Sequence, residues 1–158
     1  WNGTEFERLG DGVEAFAVLT CLIPDMPLVY TGQEVGNNKR LSFFEKDLVE
    51  WKENKLFTIY SKLFQLKKDN KALQNGKHGG GLDYIRSSEE KNIFAFSRSS
   101  EKDKIFAIFN LSNEVLEFDL TGESLQGNYK NFFTGKLESF SAVESFKLNP
   151  WEYRVYVK

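Results

Sequence analysis

NIFAFSRSSEKDKIFAIFN, the stretch from Asn92 to Asn110, carries the strongest fold signal in the chain. It contains two runs rich in aromatic and β-branched residues, which are typical of β-strands, and a polar turn from Ser99 to Asp103 separates them. The second run, IFAIF from Ile105, is apolar at every position, so both of its faces must be buried. The stretch therefore predicts two strands of an all-β domain, the second near the centre of its sheet.

Similar short runs continue to the last residue at a spacing of roughly 8 to 12 residues, which is typical of a β-sandwich. The alternation in LEFDL from Leu116 predicts a strand with one face in solvent. The predicted strands are Leu82–Arg86, Asn92–Arg98, Lys104–Asn110, Val115–Leu120, Tyr129–Phe133, Ser145–Leu148 and Glu152–Val157. The glycine-rich segment Gly76–Gly81 precedes them, and we place a domain boundary there.

Two helices are predicted before this boundary. Asp11 and Glu14 resemble a capping box, which predicts a helix start at Asp11. The following residues, Val13–Ile23, are apolar on nearly every side, so this helix must lie between two layers. From about Lys52 to Asp69, apolar residues recur at helical spacing and lysines fill the opposite face, which predicts a second, amphipathic helix.

A short strand is predicted between the two helices. Pro24 and Pro27 end the first helix in a tight turn, and the apolar run Leu28–Tyr30 follows at once. Such a run, ended by Thr31 and Gly32, indicates a buried strand. The first half of the chain is therefore expected to fold as helix, strand and helix.

Several motifs in a fixed order resemble one known family. They are MPLVYTGQEVG, FFEKDLVEW, KLFTIYSKLFQLKKDNKAL, IFAIFNLSN, NYKNFFTGK and LNPWEYRVYV. Together they cover most of the 158 residues and resemble the C-terminal part of glycoside hydrolases of the α-amylase family. The resemblance implies an α+β architecture: residues 1–75 are the last helix–strand–helix units of a (β/α)₈ barrel, and residues 76–158 are an antiparallel Greek-key β-sandwich, called domain C in that family.

The resemblance also implies where the chemistry lies. Leu28–Tyr30 would be the eighth barrel strand, and Gln33 and Glu34 would lie on the loop at its C-terminal end, the face that carries the active site in barrel enzymes. The three catalytic acids of the family would lie upstream of Trp1, the last of them in an Asn-His-Asp motif that this sequence lacks. We therefore expect no catalytic residue in this segment, and an excised segment of a longer protein is also what its start without a methionine suggests.

Four residues are candidates to contact the substrate. Trp1 and Asn2 would remain from the rim of the active site, and Gln33 and Glu34 would lie beside it. A retaining glycosidase needs two carboxyl groups about 5 Å apart, and a single one cannot fill both roles. For Gln33 and Glu34, bracing of the loop is the more common role, and sugar contact is the alternative.

The sequence offers few residues for a metal site or for a nucleophilic catalytic site. His78, the single histidine, lies among glycines, and Cys21, the single cysteine, lies in an apolar helix, so zinc or a serine or cysteine nucleophile would lack partners. We predict no metal or other cofactor in this segment; many α-amylases bind calcium, so the resemblance allows it in the parent enzyme. The aromatic side chains are expected mainly in the core, with sugar stacking as the alternative, and Trp151, next to Pro150, is expected to seal the sandwich or its contact with the barrel.

Composition excludes two classes of partner. A formal charge of −2 with interspersed signs offers no basic block for nucleic acid, and no apolar run approaches the roughly 20 residues that span a bilayer. The cellular compartment stays open. The partners that the resemblance implies are an α-glucan substrate of the parent enzyme and the upstream part of the barrel.

Two alternative functions stay open, and a barrel strand without its neighbours poses a physical difficulty for the α-amylase interpretation. The segment could instead be a non-catalytic carbohydrate-binding or interdomain module, or belong to a relative that has lost hydrolysis. The exact glucan, and hydrolysis versus glucosyl transfer, lie in loops upstream. A barrel strand without its neighbours would leave backbone groups unpaired, so we expect the piece to self-associate through its barrel remnant or to leave residues 1 to about 45 poorly ordered.

Overall fold

The computed structural model describes residues 3–158, which form three helices and nine strands. The helices are α1 (Glu5–Leu9), α2 (Val13–Leu22) and α3 (Lys55–Asp69). The strands are β1 (Asp83–Tyr84), β2 (Arg86–Ser87), β3 (Ile93–Ser99), β4 (Lys104–Asn110), β5 (Leu116–Thr121), β6 (Gly127–Asn131), β7 (Leu137–Phe140), β8 (Val143–Leu148) and β9 (Tyr153–Val157). They build a six-stranded sheet in the order β1-β3-β4-β9-β6-β7 and a three-stranded sheet in the order β2-β5-β8. Every pairing is antiparallel.

The predicted sandwich is confirmed, strand by strand, with two differences. β4 lies between β3 and β9, and Ile105–Phe109 are fully buried, as the all-apolar run predicts. The predicted strand Leu82–Arg86 is divided, because the chain crosses at Ile85 from the large sheet, where β1 pairs with β3, to the small one, where β2 pairs with β5. β7 was missed in the sequence, since LESF carries no clear strand signal and Leu137 is exposed.

The central strand of the large sheet, β4, is buried on both faces. On β4, Phe106 and Ile108 face the small sheet, while Ile105, Ala107 and Phe109 face the helices, as the alternation of side chains along a strand requires. The helix-side core extends to Val18, Leu22, Leu63 and other side chains of α2 and α3. The architecture therefore has three layers, and the helices share one core with the sandwich. The division at residues 75 and 76 stays a prediction.

Arg98, on the helix side of β3, fastens the helical part to the sandwich. Its side chain is almost fully buried and donates to the carbonyls of Leu22 (2.9 Å) and Ile23 (3.2 Å) at the end of α2. It also donates to Gln74 (3.0 Å) and Gly80 (2.9 Å) in the connecting segment. Because a helix C-terminus carries partial negative charge, α2 helps to offset the cost of burying this cation.

The predicted strand at Leu28–Tyr30 is wrong for this chain. These residues form no ladder, and the exposed fractions of Leu28 and Tyr30 are 82% and 62%. A strand needs backbone partners on at least one side, and no other described segment supplies them here. The helix–strand–helix reading is therefore borne out for its helices and not for its strand.

The predicted helix boundaries also differ. α2 begins at Val13 after Gly12, without a side-chain cap, so the capping box assigned to Asp11 and Glu14 is wrong. The real capping box lies upstream at α1, where Thr4 and Glu7 satisfy each other's backbone N–H groups. α3 begins three residues later than predicted, because the side chain of Asn54 accepts from the N–H of Leu56 and caps the helix there (2.9 Å).

Candidate functional site

The loop from Tyr30 to Leu41, here called the site loop, carries Gln33 and Glu34. Gly32 and Gly36 have left-handed φ values of 96° and 64°, which allow the chain to reverse around the short 3₁₀ turn Gln33–Val35. The N–H of Asn37 donates to the carbonyl of Gly32 (2.9 Å) and closes the turn, and Val35 is buried beneath it. The loop therefore keeps a defined shape without a strand before it.

Gln33 connects the site loop to α1. Its Oε1 accepts from the N–H of Tyr30 (2.7 Å), and its Nε2 donates to a carboxylate oxygen of Glu5. Both ends of the amide are thus engaged within the protein. These contacts brace the site loop, and the role of Gln33 toward a sugar stays a prediction.

The side chain of Glu34 contacts the backbone of the turn on which it lies. Its Oε2 accepts from the N–H of Gly32 (3.0 Å), and the side chain is half-buried. The pKa of the Tyr60 phenol is raised to about 12, mainly by burial and in smaller part by nearby groups that include the carboxylates of Glu5 and Glu34. Two carboxylates therefore lie near one buried phenol under the site loop, and each already holds a hydrogen-bond donor.

A cleft of about 220 Å³ opens between the site loop and the start of α1. Its polar wall includes Gln33, Asn37, Lys39 and Arg40, and Tyr30 adds an exposed aromatic ring. Amide, ammonium and guanidinium groups can donate to sugar hydroxyls, and a tyrosine ring can pack against the apolar face of a sugar. The cleft therefore has the chemistry of the rim of a sugar site.

The two cations at the mouth of this cleft are already paired. Lys39 forms an ion pair with Asp47, and the Nε of Arg40 lies 3.8 Å from Glu7. The hydrogen bond from Lys39, together with the N–H groups of Ser42 (2.9 Å) and Leu48 (2.8 Å), holds the pKa of Asp47 well below its usual range. These contacts fold the end of the loop back on itself and leave little net charge at the cleft.

Of the four predicted substrate contacts, Trp1 and Asn2 lie outside the described residues. Gly3 and Thr4, the first residues that the structure describes, line the same cleft as Gln33. Glu34 is absent from the cleft lining and braces the turn instead. Sugar contact by these residues stays a prediction.

The sequence reasoning missed the contributions of α1. Thr4 donates to Asn38 of the site loop (2.5 Å), and Glu5 holds Gln33. The spacing of Thr4 and Glu7 is that of a capping box, and it could have predicted that a helix starts at this point of the chain.

The remaining candidates carry no site within residues 3–158. His78 is exposed, and burial raises the pKa of the Cys21 thiol to about 11, which keeps it protonated and unreactive. In this part of the chain no group of three or more His, Cys, Asp or Glu residues is arranged to hold a metal ion, and no helix is long and apolar enough to cross a membrane. The absence of a cofactor stays a prediction.

The segment that contains the site loop carries many exposed apolar side chains. Nine of the exposed large apolar side chains lie between residues 26 and 64: Met26, Leu28, Tyr30, Phe43, Phe44, Leu48, Trp51, Phe57 and Phe64. Exposed fractions reach 83% and 90% at Phe43 and Phe44. So many exposed apolar side chains in one segment are unusual for a free protein surface.

Comparisons with known proteins agree with the resemblance noted in the sequence. Residues 84–155 match the family model of the α-amylase C-terminal all-β domain. An oligo-1,6-glucosidase of Saccharomyces cerevisiae is 28% identical over 66% of the chain and 17% of that enzyme, and a maltogenic α-amylase of Bacillus acidopullulyticus is 27% identical over 97% of the chain and 26% of that enzyme. The crystal structure of a noncanonic maltogenic α-amylase from Thermotoga neapolitana has a TM-score of 0.79 at 17% identity, over 94% of the chain and 36% of that structure. The chain thus spans about a quarter or less of the two curated relatives.

Proposed function

From the premise that this chain is a C-terminal part of an α-amylase-family protein, with residues 84–155 forming its C-terminal all-β domain, we propose that the parent hydrolyses α-glucosidic bonds. Its substrates would be starch-like or maltodextrin-type glucans, and its mechanism would be a retaining one. In this proposal residues 1–75 end the catalytic barrel, and residues 76–158 support it. The segment itself contributes scaffold and the rim of the active site.

The observation that carries the proposal is the extent of the structural likeness. The match to the Thermotoga neapolitana amylase covers 94% of the chain, so it includes α2, α3 and the site loop as well as the sandwich. A shared sandwich alone would leave the helical half unmatched. The likeness supports the assignment of that half to the end of a barrel, although residues 28–30 form no strand in this chain.

The exposed apolar side chains of the segment that contains the site loop support the same assignment. In a closed barrel the segment after Pro27 would have strands on both sides, and the side chain of Leu28 would be covered. Burying one such side chain contributes about 1.5 to 3 kcal/mol, so covering several of them would stabilise the assembly strongly. The upstream part of the barrel is therefore the partner that we propose for these side chains.

The contacts of the site loop support a scaffold role in the chemistry. Glycosidic bond cleavage with retention needs a nucleophilic carboxylate and an acid/base carboxyl group about 5 Å apart. Glu34 accepts from its own turn and Glu5 holds Gln33, so both carboxylates are used to shape the loop. The proposed role of Gln33 is then to hold the site loop in place beside an active site. The catalytic acids of that active site would come from the part of the protein before Trp1.

The test compares two proteins on amylose. Residues 1–158 alone are expected to release no reducing sugar, whereas the full-length encoded protein is expected to release it, and an Asn-His-Asp motif is expected a few residues before Trp1. Release of sugar by residues 1–158 would refute the scaffold role. An upstream sequence without acidic residues in the family order would refute the hydrolase proposal itself and favour a relative that has lost hydrolysis.

A further inference from the structure

A second cleft, here called the junction cleft, lies where the helices meet the sandwich. It has a volume of about 490 Å³, within the 300 to 1,000 Å³ typical of small-molecule sites. One side is built by α2 and α3, and the other by β9 and the turn after β6. Its lining consists of Glu14, Ile59, Asn131, Phe133, Thr134, Trp151, Glu152, Tyr153 and Arg154.

Trp151 is held in this cleft by an unfavourable backbone conformation. Its φ of 57° lies in the left-handed region, where a bulky residue is rarely found. Two contacts fix it: its N–H donates to the carbonyl of Ser112 (3.1 Å), and its ring packs closely against Gly12. The indole is only partly buried, so a rigid aromatic surface faces the cleft.

Two further aromatic rings extend this surface. Phe133 and Tyr153 meet edge to face with ring centroids 5.4 Å apart, and neither is fully buried. The hydroxyl of Tyr153 donates to Glu14 of α2 (2.7 Å), so this ring is fixed from the helical side. Rings with fixed orientations lose little entropy when a ligand stacks on them.

The charged groups around the cleft are balanced in pairs. The Nε of Arg154 donates to Oε1 of Glu152 (2.9 Å), and the Nη2 of Arg154 lies 2.9 Å from the same oxygen. Glu14 forms an ion pair with Lys55. The paired side chains at Glu152 and Arg154 remain about 30% exposed, so their free donor and acceptor positions reach solvent. A cleft with hydrogen-bonding groups but little net charge favours a neutral ligand with many hydroxyl groups over an ionic one.

A pyranose ring has the matching chemistry, because one face consists of C–H groups and the rim consists of hydroxyls. We propose that the junction cleft binds a short segment of α-glucan, with its sugar rings against Trp151 and Phe133 and its hydroxyls at Glu152 and Arg154. The choice of an α-glucan as the ligand rests on the proposed function, whereas the shape and lining of the cleft are independent of it. This site is separate from the site loop and would hold the glucan without cleaving it.

The test uses maltotriose and the indole N–H resonance of Trp151 in the full chain, identified with Trp151→Phe. We expect a saturable shift with a dissociation constant on the order of 1 mM, as suits a shallow half-exposed site, and a much smaller response to the β-linked cellotriose. Thr134→Trp fills the exposed rim of the cleft and should weaken binding by about tenfold or more. Lys91→Trp, at an exposed turn outside the cleft, is the matched control and should bind like the unmodified chain.

Three results would overturn the inference: no shift with maltotriose, an equal shift with cellotriose, or full binding by Thr134→Trp. The amylose assay on the full-length protein keeps this failure apart from that of the proposed function. Hydrolysis without binding at the cleft overturns only the junction cleft. Binding at the cleft without hydrolysis supports the cleft and overturns the hydrolase proposal.

Discussion

Replacement of Arg98 by methionine should destabilise the whole chain by about 4 kcal/mol. The guanidinium makes four hydrogen bonds of 2.9 to 3.2 Å to the carbonyls of Leu22, Ile23, Gln74 and Gly80, and only 1% of the residue is exposed. Methionine would fill most of the volume but leave those four carbonyls without their donors. At about 1 kcal/mol for each lost bond, the sum is about 4 kcal/mol, within the 3 to 5 typical of breaking a buried polar network.

The same substitution should loosen one region before the others. Leu22 and Ile23 end α2, and the segment that leads to the site loop begins at Pro24. Without Arg98 this end of the helix has two unpaired carbonyls, so we expect faster amide hydrogen exchange in residues 19–37 than in β3 to β5. Arg98→Lys should recover only part of the stability, because an ammonium group cannot reach four separate carbonyls in the geometry of a guanidinium.

Urea unfolding followed by circular dichroism measures the global effect, with Arg86→Met on an exposed strand residue as the control. The control should change the unfolding free energy by about 0.5 kcal/mol or less. A loss below about 1 kcal/mol for Arg98→Met, or full recovery by Arg98→Lys, would show that packing rather than the four hydrogen bonds holds the junction.

Three other outcomes are expected. Gly12→Ala places a Cβ 2.8 Å from the ring of Trp151, so it should lower the unfolding free energy by about 1 to 3 kcal/mol and alter the near-ultraviolet circular dichroism; equal stability would refute this contact. The Tyr60 phenol has a folded pKa of about 12 against 10 unfolded, so its contribution of about 3 kcal/mol is present below pH 10 and lost between pH 10 and 12; Tyr60→Phe should flatten that loss in urea unfolding at pH 8 and pH 11. Light scattering should show self-association at micromolar concentration that Phe43→Ser and Phe44→Ser reduce, and a monomeric unmodified chain would contradict it.

The sandwich could be predicted from the sequence because its signals are local. β4 is apolar from Ile105 to Phe109 and lies at the centre of its sheet, and β5 alternates and is half exposed, so the residues of each strand indicate how far it is buried. The division of the predicted first strand at Ile85 could not be predicted, since a change of sheet depends on which strands lie nearby. β7 escaped for the same reason: its pairing partner β6, rather than its composition, makes it a strand.

The contacts of the candidate site residues could not be predicted from the sequence, and their role toward a substrate stays a prediction. Gln33 was placed on the correct loop, and its bracing function follows from a contact to Glu5, 28 positions earlier in the chain. No periodicity or spacing links those two residues. Contacts between a loop and a helix far away in sequence depend on the tertiary fold, and so Arg98 also had no sequence signal of its importance.

The wrong prediction at Leu28–Tyr30 shows that the shape of the site loop and the direction of the segment before it depend on different contacts. The turn at Gly32–Asn37 is held by bonds within itself, by the burial of Val35 and by the contact of Gln33 with α1, so it keeps its shape without a preceding strand. The direction of the segment before it has no such local support, because a strand is defined by its neighbours. The shape of the site loop is therefore a property of this chain, whereas its aim toward a substrate would depend on the strands that pair with residues 28–30. If added upstream barrel segments failed to protect the amides of residues 28–30 from exchange, that separation would be wrong.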